Sequence, residues 1–574
     1  MSNKYDVVVG IDFGSSGTGY AYSFNNPEDI ILGYFEGQGA DVKVPTEIIL
    51  DKNLNFKAFG EKCKEYINNN QLNKGELYFQ RIKMSLYDNK TTIMPQNKSK
   101  EYNLDTIISE VLKHIKEEAI KKIKENRSTI NENRIKWVVI VPAIWNEKQK
   151  GIMIKESEKA GLFNQCTERF NFFALEPEAA SLYCSQDTAI EPKYIKPGKT
   201  FIICDLGGGT GDIVTHYKKE KGVINEKYQA VGGNFGSNEI DKDVFNLIIN
   251  QIFGFKDYNS LKQKNLKLVN PWPNDALYNE WINLQDEIQK KKKITEDTKD
   301  KSFLLNCQIF QDFTDNKNIK ELIDLYNKKC NNGWNINVKS ENRWIINFPN
   351  KIFYDLINNQ AKKISEQIQK IIENISNIES IVYVGGYCSN EILINFFKKK
   401  FKNIVHLKPS HPELAVVKGA VLFGINPNII TQRKAKYSIG LNVIKFWDEK
   451  IHGKIGKKIY DEKYKCYKCD NCFDLFIKIG QTLSINDIIK HNLELQGPRY
   501  GSLNFYRSYN KNPILCSEEG VEKIGENLLD LKRDYNNNDR DIIVIMKFGG
   551  TFVEAECIHK KSGERVKTNL YFDK

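Results

Sequence analysis

The strongest constraint on this chain is an internal echo. Val7-Val-Val-Gly-Ile-Asp12 is an apolar run ending in a carboxylate. Phe13-Gly-Ser-Ser-Gly-Thr-Gly19 follows it, then a second apolar and aromatic run, Tyr20-Ala-Tyr-Ser-Phe24. The same plan returns in Phe201-Ile-Ile-Cys-Asp205, Leu206-Gly-Gly-Gly-Thr-Gly-Asp212 and Ile213-Val-Thr-His-Tyr217. In each copy two strands are joined by a turn too rich in Gly, Ser and Thr to belong to a core, the pattern of a hairpin with an open tip. A second pair of echoes is Trp137-Val-Val-Ile-Val-Pro142 and Ile381-Val-Tyr-Val-Gly-Gly386, each followed by a helical pattern, over 146–160 and 390–400. Continuous apolar strands of this kind need helices on both faces. Further helical patterns fill 104–124, 276–293 and 352–378.

The periodicity therefore predicts one large α/β unit over residues 1–430, made of two similar lobes at about 1–200 and 201–430. After Asn426-Pro427 the texture changes to short alternating runs, such as Phe473-Asp-Leu-Phe-Ile-Lys478, Ile542-Ile-Val-Ile-Met-Lys547 and Lys567-Thr-Asn-Leu-Tyr-Phe572. Residues 437–574 are expected to form a smaller β-rich domain.

Composition removes several classes of function. The 85 basic and 73 acidic side chains leave a net charge of only +12, and the basic runs at 290–293 and 398–400 are short, so nucleic-acid binding is not indicated. No apolar run approaches the roughly 18 residues of a membrane span, so no membrane insertion is expected. Asp6 and Asp12 stand where a secretory leader would be apolar, and the 12 cysteines are scattered, which predicts a cytoplasmic protein with reduced thiols.

A glycine-rich turn between strands exposes backbone N–H groups that can hold phosphate oxygens, because the chain can come close to the ligand. Two such turns can grip one polyphosphate from both sides. Each is preceded by an aspartate, and two carboxylates beside phosphates suit a hydrated Mg²⁺ ion, which takes few protein oxygens; Asp12 and Asp205 are the metal candidates. Rival phosphate motifs fail on context. Pro197-Gly-Lys-Thr200 precedes a strand instead of following one, and Gly207-Gly-Gly-Thr-Gly211 runs into a strand where a dinucleotide fingerprint requires a helix. Cys466-x-x-Cys469-x-x-Cys472 is read as a reduced cysteine-rich loop, since the next possible zinc ligands, His491 and Cys516, are distant in sequence.

These residues resemble a known family. Asp12-Phe-Gly-Ser-Ser16, Asp205-Leu-Gly-Gly-Gly-Thr-Gly-Asp212 and Val384-Gly-Gly386 resemble the two phosphate motifs and the adenosine motif of the actin-like ATPase superfamily. Val138-Val-Ile-Val-Pro-Ala143, Leu175-Glu-Pro-Glu-Ala-Ala180 and Lys418-Gly-Ala-Val-Leu-Phe-Gly424 resemble the seventy-kilodalton heat-shock proteins, in particular the divergent heat shock 70 kDa protein 12 branch. The resemblance implies duplicated actin-like, ribonuclease H-like lobes and ATP or ADP with Mg²⁺ as cofactors. It also implies slow ATP hydrolysis coupled to binding of a polypeptide client or co-chaperone; the alternative is an ATP-gated scaffold or signalling module with little hydrolysis.

Carried over by position, Gly14, Ser15, Ser16, Gly207, Gly208, Gly209 and Thr210 would wrap the β- and γ-phosphates. Lys83 would stand near the attacking water, Glu176 in the metal's outer shell and Asp212 near the γ-phosphate. Gly232, Gly233, Gly385, Gly386 and Tyr387 would border the adenosine, and Glu287, Lys290 and Lys291 would reach its base and ribose. Tyr387 and Ser389 replace the family's Ser and Arg after the adenosine glycines, which implies weaker nucleotide affinity. The segment Asn428-Ile-Ile-Thr-Gln-Arg-Lys-Ala-Lys436 is basic where the family's linker is acidic, and the residues after it leave no room for a helical lid.

Overall fold

In the computed structural model, the described residues are 5–39, 43–69, 72, 75–97, 100–163, 172–187, 189–190, 194–255, 276–314, 317–330, 333–453, 455–462, 464–485, 487–494, 500–530, 540–548 and 553–569. The fold is mixed α/β. Its first large sheet runs Phe173–Leu175, Ile135–Val141, Val7–Phe13, Gly17–Ser23, Ile31–Leu32. The first three strands are parallel and the next two antiparallel. The second sheet opens with the same order and sense: Val405–Leu407, Ile378–Val384, Thr200–Leu206, Gly211–Lys218, Ile224–Gly233. The echo in the sequence is thus an echo in topology. Each acidic strand is central and each glycine-rich turn leads to its antiparallel neighbour.

Val7–Phe13 and Ile135–Val141 are buried at every residue, as strands covered on both faces must be. Two helices, Glu176–Cys184 and Ala415–Ile425, share one core with residues of both sheets, including Val8, Val138 and Ile140 from the first and Phe201, Ile203, Val382 and Val384 from the second. In the last turn of the second of these helices the Gly424 carbonyl accepts a hydrogen bond from the buried Lys136 Nζ at 2.7 Å, meeting a C-terminal acceptor that would otherwise be left open. The two sheets are therefore joined through a common apolar floor, and both turns open above it.

Helices expected over 104–124, 146–160, 276–293, 352–378 and 390–400 occur as Leu104–Asn126, Glu147–Lys159, Ala276–Lys291, Lys351–Asn374 and Glu391–Lys400. Asn103, Asn146 and Asn390 cap three of them by accepting a backbone N–H three residues on. The segment that begins Pro197-Gly is a turn, with Gly198 N donating to Lys218 O at 2.8 Å.

Beyond this unit the chain forms a five-stranded and a four-stranded antiparallel sheet around a separate core containing Leu441, Phe505, Ile542, Val544 and Met546. Among the described residues after Ile430, the helix is limited to Glu449–His452. The last expected strand is present as Arg565–Asn569; residues 570–572 lie outside the described ones. Ile430–Lys434 pairs with Ile224–Gly233, and Thr482–Ser484 pairs with Ile430–Lys434, so the C-terminal part is stitched to the edge of the second sheet. The Cys466-x-x-Cys469-x-x-Cys472 run, expected as a loop, lies instead in the strand Cys466–Ile477. Its apolar positions at Phe473, Phe476 and Ile477 carry the pairing through the cysteines.

Candidate functional site

The two glycine-rich turns meet tip to tip. A Cβ at Gly208 would stand 1.9 Å from Ser16 Oγ, and one at Gly209 would stand 2.3 Å from Met84 Sδ and 2.4 Å from Ser15 Oγ, so only glycine allows this approach. Ser16 Oγ donates to Asn238 Oδ1 at 3.0 Å, linking the first turn to the start of the helix Asn238–Asn246. The second turn is closed by Gly207 N donating to Thr210 O at 3.1 Å. It is backed by the N–H groups of Gly236, Ser237 and Asn238, which donate to the carbonyls of Gly209, Gly207 and Gly208. The first is braced by Thr46, whose Oγ1 donates to Gly14 O at 2.7 Å and whose N–H donates to Ser16 O at 3.2 Å.

Four carboxylates converge here. Asp12 and Asp205 are buried at the ends of their strands, and Asp212 pairs with Asp205 across the second hairpin. Burial raises the Asp205 carboxyl well above its ordinary range; Glu176, Asp212 and Asp12 add to this and Lys43 opposes it. Burial likewise raises Asp212, to about 7, with Glu176 adding. Asp212 Oδ1 accepts from Ile144 N at 2.8 Å, while its Oδ2 is buried with no hydrogen-bond partner. Lys83 Nζ donates to Glu176 Oε1 at 2.6 Å and lies 5.5 Å from the centre of the Trp145 ring. The two expected partners in water and metal positioning are therefore brought into one ion pair.

The donor set fits a hard cation: carboxylate oxygens only, one of them buried and unpartnered, beside backbone turns able to receive phosphate. Asp12 and Asp205 are the residues that would hold such an ion.

Where adenosine is expected, Gly385 adopts φ +86°, and a Cβ there would stand 2.4 Å from Leu206 O and 2.6 Å from Asp205 Oδ1. A Cβ at Gly386 would meet nothing within 4 Å, so this backbone borders open space. Gly232 and Gly233 pair with Asp212 and Gly211 beside the second turn. Tyr387 turns inward: it is buried, and its Oη donates to Gln360 Oε1 at 2.8 Å. Glu287, Lys290 and Lys291 share a helix, and burial raises Glu287 against the pull of the two lysines. Lys291 Nζ lies over the Phe303 ring at 5.2 Å, away from the turns. The neighbour Lys292 bonds instead to the start of the helix behind the second turn, with Nζ 2.7 Å from Asp241 Oδ2 and 3.4 Å from Ser237 Oγ.

Several residues had no signal in the sequence. Lys43 Nζ donates to Asp12 Oδ2 at 2.5 Å. Arg433 grips Glu178 with both ends of its fork, Nε to Oε1 at 2.5 Å and Nη2 to Oε2 at 2.7 Å, with both side chains buried. Glu178 lies two residues beyond Glu176 on the same helix, and Arg433 lies on the segment leading to the β-rich part. A cavity of about 90 Å³ opens beside this pair, lined by Glu147, Lys150, His216, Glu226 and Lys436 among others. In the β-rich part, His452, Cys469 and Cys472 place their ligand atoms within 4.8 Å of one another. His452 Nδ1 accepts the Asp448 N–H at 3.0 Å, which leaves the ring proton on Nε2, the atom facing Cys472 Sγ. His491 is bound elsewhere, to Asp474.

The family described as Hsp70 protein matches residues 60–270. The chain is similar to heat shock 70 kDa protein 12A of Homo sapiens and of Mus musculus, at 26% identity in each case, with 99% of this chain and 91% of the relative covered. It is similar to heat shock 70 kDa protein 12B of Homo sapiens at 22% identity over the same shares. The resemblance to the heat shock 70 kDa protein 12 branch is thereby borne out along nearly the whole chain.

Proposed function

We propose, from the premise that the chain is an Hsp70-family ATP-binding protein, that it hydrolyses ATP slowly with Mg²⁺ and couples nucleotide occupancy to polypeptide binding by its β-rich part. The reading takes the two sheets as duplicated actin-like lobes within residues 1–430, with residues 437–574 as a separate binding domain, and the protein as a cytoplasmic chaperone. The observation that carries it is the junction of the two acidic glycine-rich turns over a floor shared by both sheets.

In-line phosphoryl transfer needs positioning and charge compensation more than covalent help. The N–H groups of Ser15, Ser16, Gly208, Gly209 and Thr210 would receive the β- and γ-phosphate oxygens. Lys83, held by Glu176, would orient the attacking water, and Asp212 Oδ2 would accept a hydrogen bond from it. Bound Mg²⁺ would supply the charge that neutralises the phosphates. Gly385 and Gly386 would let the backbone pass the ribose, and Ser389, in place of the family's Arg, would leave the base without a cation above it.

Coupling would run along the helix Glu176–Cys184. Glu176 faces Lys83 while Glu178 is held by Arg433, so a shift at the phosphates bears on the segment entering the β-rich part. ATP can favour one arrangement only by binding it more tightly. The test is single-turnover hydrolysis and calorimetric ATP binding in Asp205→Asn and Thr210→Ala. Both should lose hydrolysis by at least about tenfold; unchanged binding and turnover in the two variants would refute the site.

The alternative, an ATP-gated scaffold with little hydrolysis, is favoured by one observation, the full commitment of Lys83 to Glu176. ATP binding together with a turnover equal to that of Lys83→Ala would select it.

A further inference from the structure

The cation at the first aspartate is supplied by the chain itself. Lys43 Nζ lies 2.5 Å from Asp12 Oδ2, and Asp205 and Glu176 add to the negative field at the same ammonium. Of the lysines named at the turns, Lys83 is bound to Glu176 and Lys292 to Asp241. Lys43 alone among these faces the aspartate pair. The position a hydrated divalent ion would share between Asp12 and Asp205 is thus contested by an ammonium.

The main chain fixes where this ammonium starts and leaves its head able to travel. Val44 and Pro45 pair with Thr18 and Gly17, and Thr46 is bonded to Ser16 and Gly14. A Cβ at Gly17 would stand 3.4 Å from Lys43 Cβ, so the lysine stem begins against the first turn. Four methylene groups separate that stem from the charge, and a lysine head can move several ångströms by rotamer changes alone. An incoming phosphate oxygen on the Gly14, Ser15 and Ser16 turn falls within this reach.

We propose that Lys43 is the built-in counter-cation of the nucleotide site: it neutralises Asp12 when no nucleotide is bound and moves onto the phosphates of an entering nucleoside triphosphate. The site therefore accepts nucleotide with a weak requirement for divalent metal, and a divalent ion competes with Lys43 for Asp12. This rests on the reading of the turns as a nucleotide site.

The test is calorimetric titration of the full chain with ATP in excess Mg²⁺ and in excess EDTA, read as the ratio of the two dissociation constants. The wild type should bind in both, with a ratio within about tenfold; Lys43→Met should raise that ratio by a further tenfold or so, and Lys43→Arg should keep it near the wild-type value. Loss of wild-type binding in EDTA, or an equal ratio in wild type and Lys43→Met, would overturn the inference while leaving the nucleotide site standing. No ATP binding by the wild type under either condition would overturn both. A second measurement involves no nucleotide. Mn²⁺ titration followed by electron paramagnetic resonance should show tighter binding to Lys43→Met than to the wild type, because the substitution frees Asp12; equal or weaker binding would count against the competition. Thermal unfolding of each variant establishes that the fold is kept.

Discussion

Arg433 and Glu178 offer the sharpest test of how the two parts of the molecule are joined. Their side chains are 9% and 4% exposed, and the pair makes two charge-assisted hydrogen bonds at 2.5 and 2.7 Å. Removing one member of such a buried pair strands the other, at a cost of about 3–5 kcal/mol, whereas replacing both by apolar groups is often close to neutral. The two single substitutions are not equivalent here. Arg433 also feels Glu226, so Arg433→Met strands the buried Glu178 and takes a cation from Glu226, which keeps the Lys434 N–H and Lys436, while Glu178→Leu leaves an arginine with Glu226 still near it. The expectation is a loss of about 3–5 kcal/mol for Arg433→Met, a smaller one of about 1–3 kcal/mol for Glu178→Leu, and a double variant better than the sum by at least about 2 kcal/mol. Urea unfolding at pH 7, followed by tryptophan fluorescence and far-ultraviolet circular dichroism, gives the three values where the two probes coincide. Additivity within about 0.5 kcal/mol, or a loss below about 1 kcal/mol for Arg433→Met, would refute the argument.

Two further outcomes follow from particular groups. Burial holds His216 down to about 4, with Arg433 adding and Glu178 opposing, and burial does the same to His114. The unfolded chain then binds more protons than the folded one between about pH 4 and 6.5, so stability falls as pH drops through that window, by roughly 3 kcal/mol for each histidine. Between pH 7 and 4.5 the unfolding free energy of His216→Asn should fall by about 2–3 kcal/mol less than that of the wild type; an equal change in the two would contradict the assignment. Gly385→Ala must place a methyl against Leu206 O and Asp205 Oδ1 at positive φ, so it should lose about 1–3 kcal/mol of stability and weaken ATP binding at least tenfold or so. Gly386→Ala faces open space and should unfold within about 0.5 kcal/mol of the wild type; equal stability losses in the two alanine variants would remove the distinction.

The fold was legible in this sequence where its patterns are local. Val7–Phe13 and Thr200–Leu206 announce themselves as buried strands, and their glycine-rich turns mark where two hairpins open. The long helices are visible through their apolar spacing. Contacts between segments distant in sequence are not. Lys43 reaches Asp12 from a stretch with no helical or strand period, and Ser16 finds Asn238 across most of the α/β unit. The lysine run on the helix Ala276–Lys291 shows the limit at a finer scale. One residue turns a helix by about 100°, so the choice among Lys290, Lys291 and Lys292 depends on the helix's rotation against its neighbours. That rotation is set by tertiary packing, and it directs Lys292 to Asp241. The cysteine run has the same character: two Cys-x-x-Cys spacings in Cys466–Ile477, expected as a loop, are overridden by pairing with Ser438–Phe446 and Lys457–Asp461.

The closed junction of the two turns bears directly on nucleotide affinity. Ser15 and Ser16 lie against Gly209 and Gly208, Lys43 is bound to Asp12, and Lys83 to Glu176. An entering triphosphate must part the serines from the glycines and draw Lys43 away from a carboxylate that already satisfies it. The energy released at the phosphates is therefore offset by what it takes to break these protein–protein interactions, and only the surplus appears as affinity. The same exchange gives nucleotide its leverage. Under the proposed function, parting the turns would separate the first sheet from the second above the shared floor of Glu176–Cys184 and Ala415–Ile425, and the first of these helices holds Glu178 against Arg433. A site whose donors were free and already spread would bind more tightly and move nothing; under the proposed function this one would trade affinity for displacement.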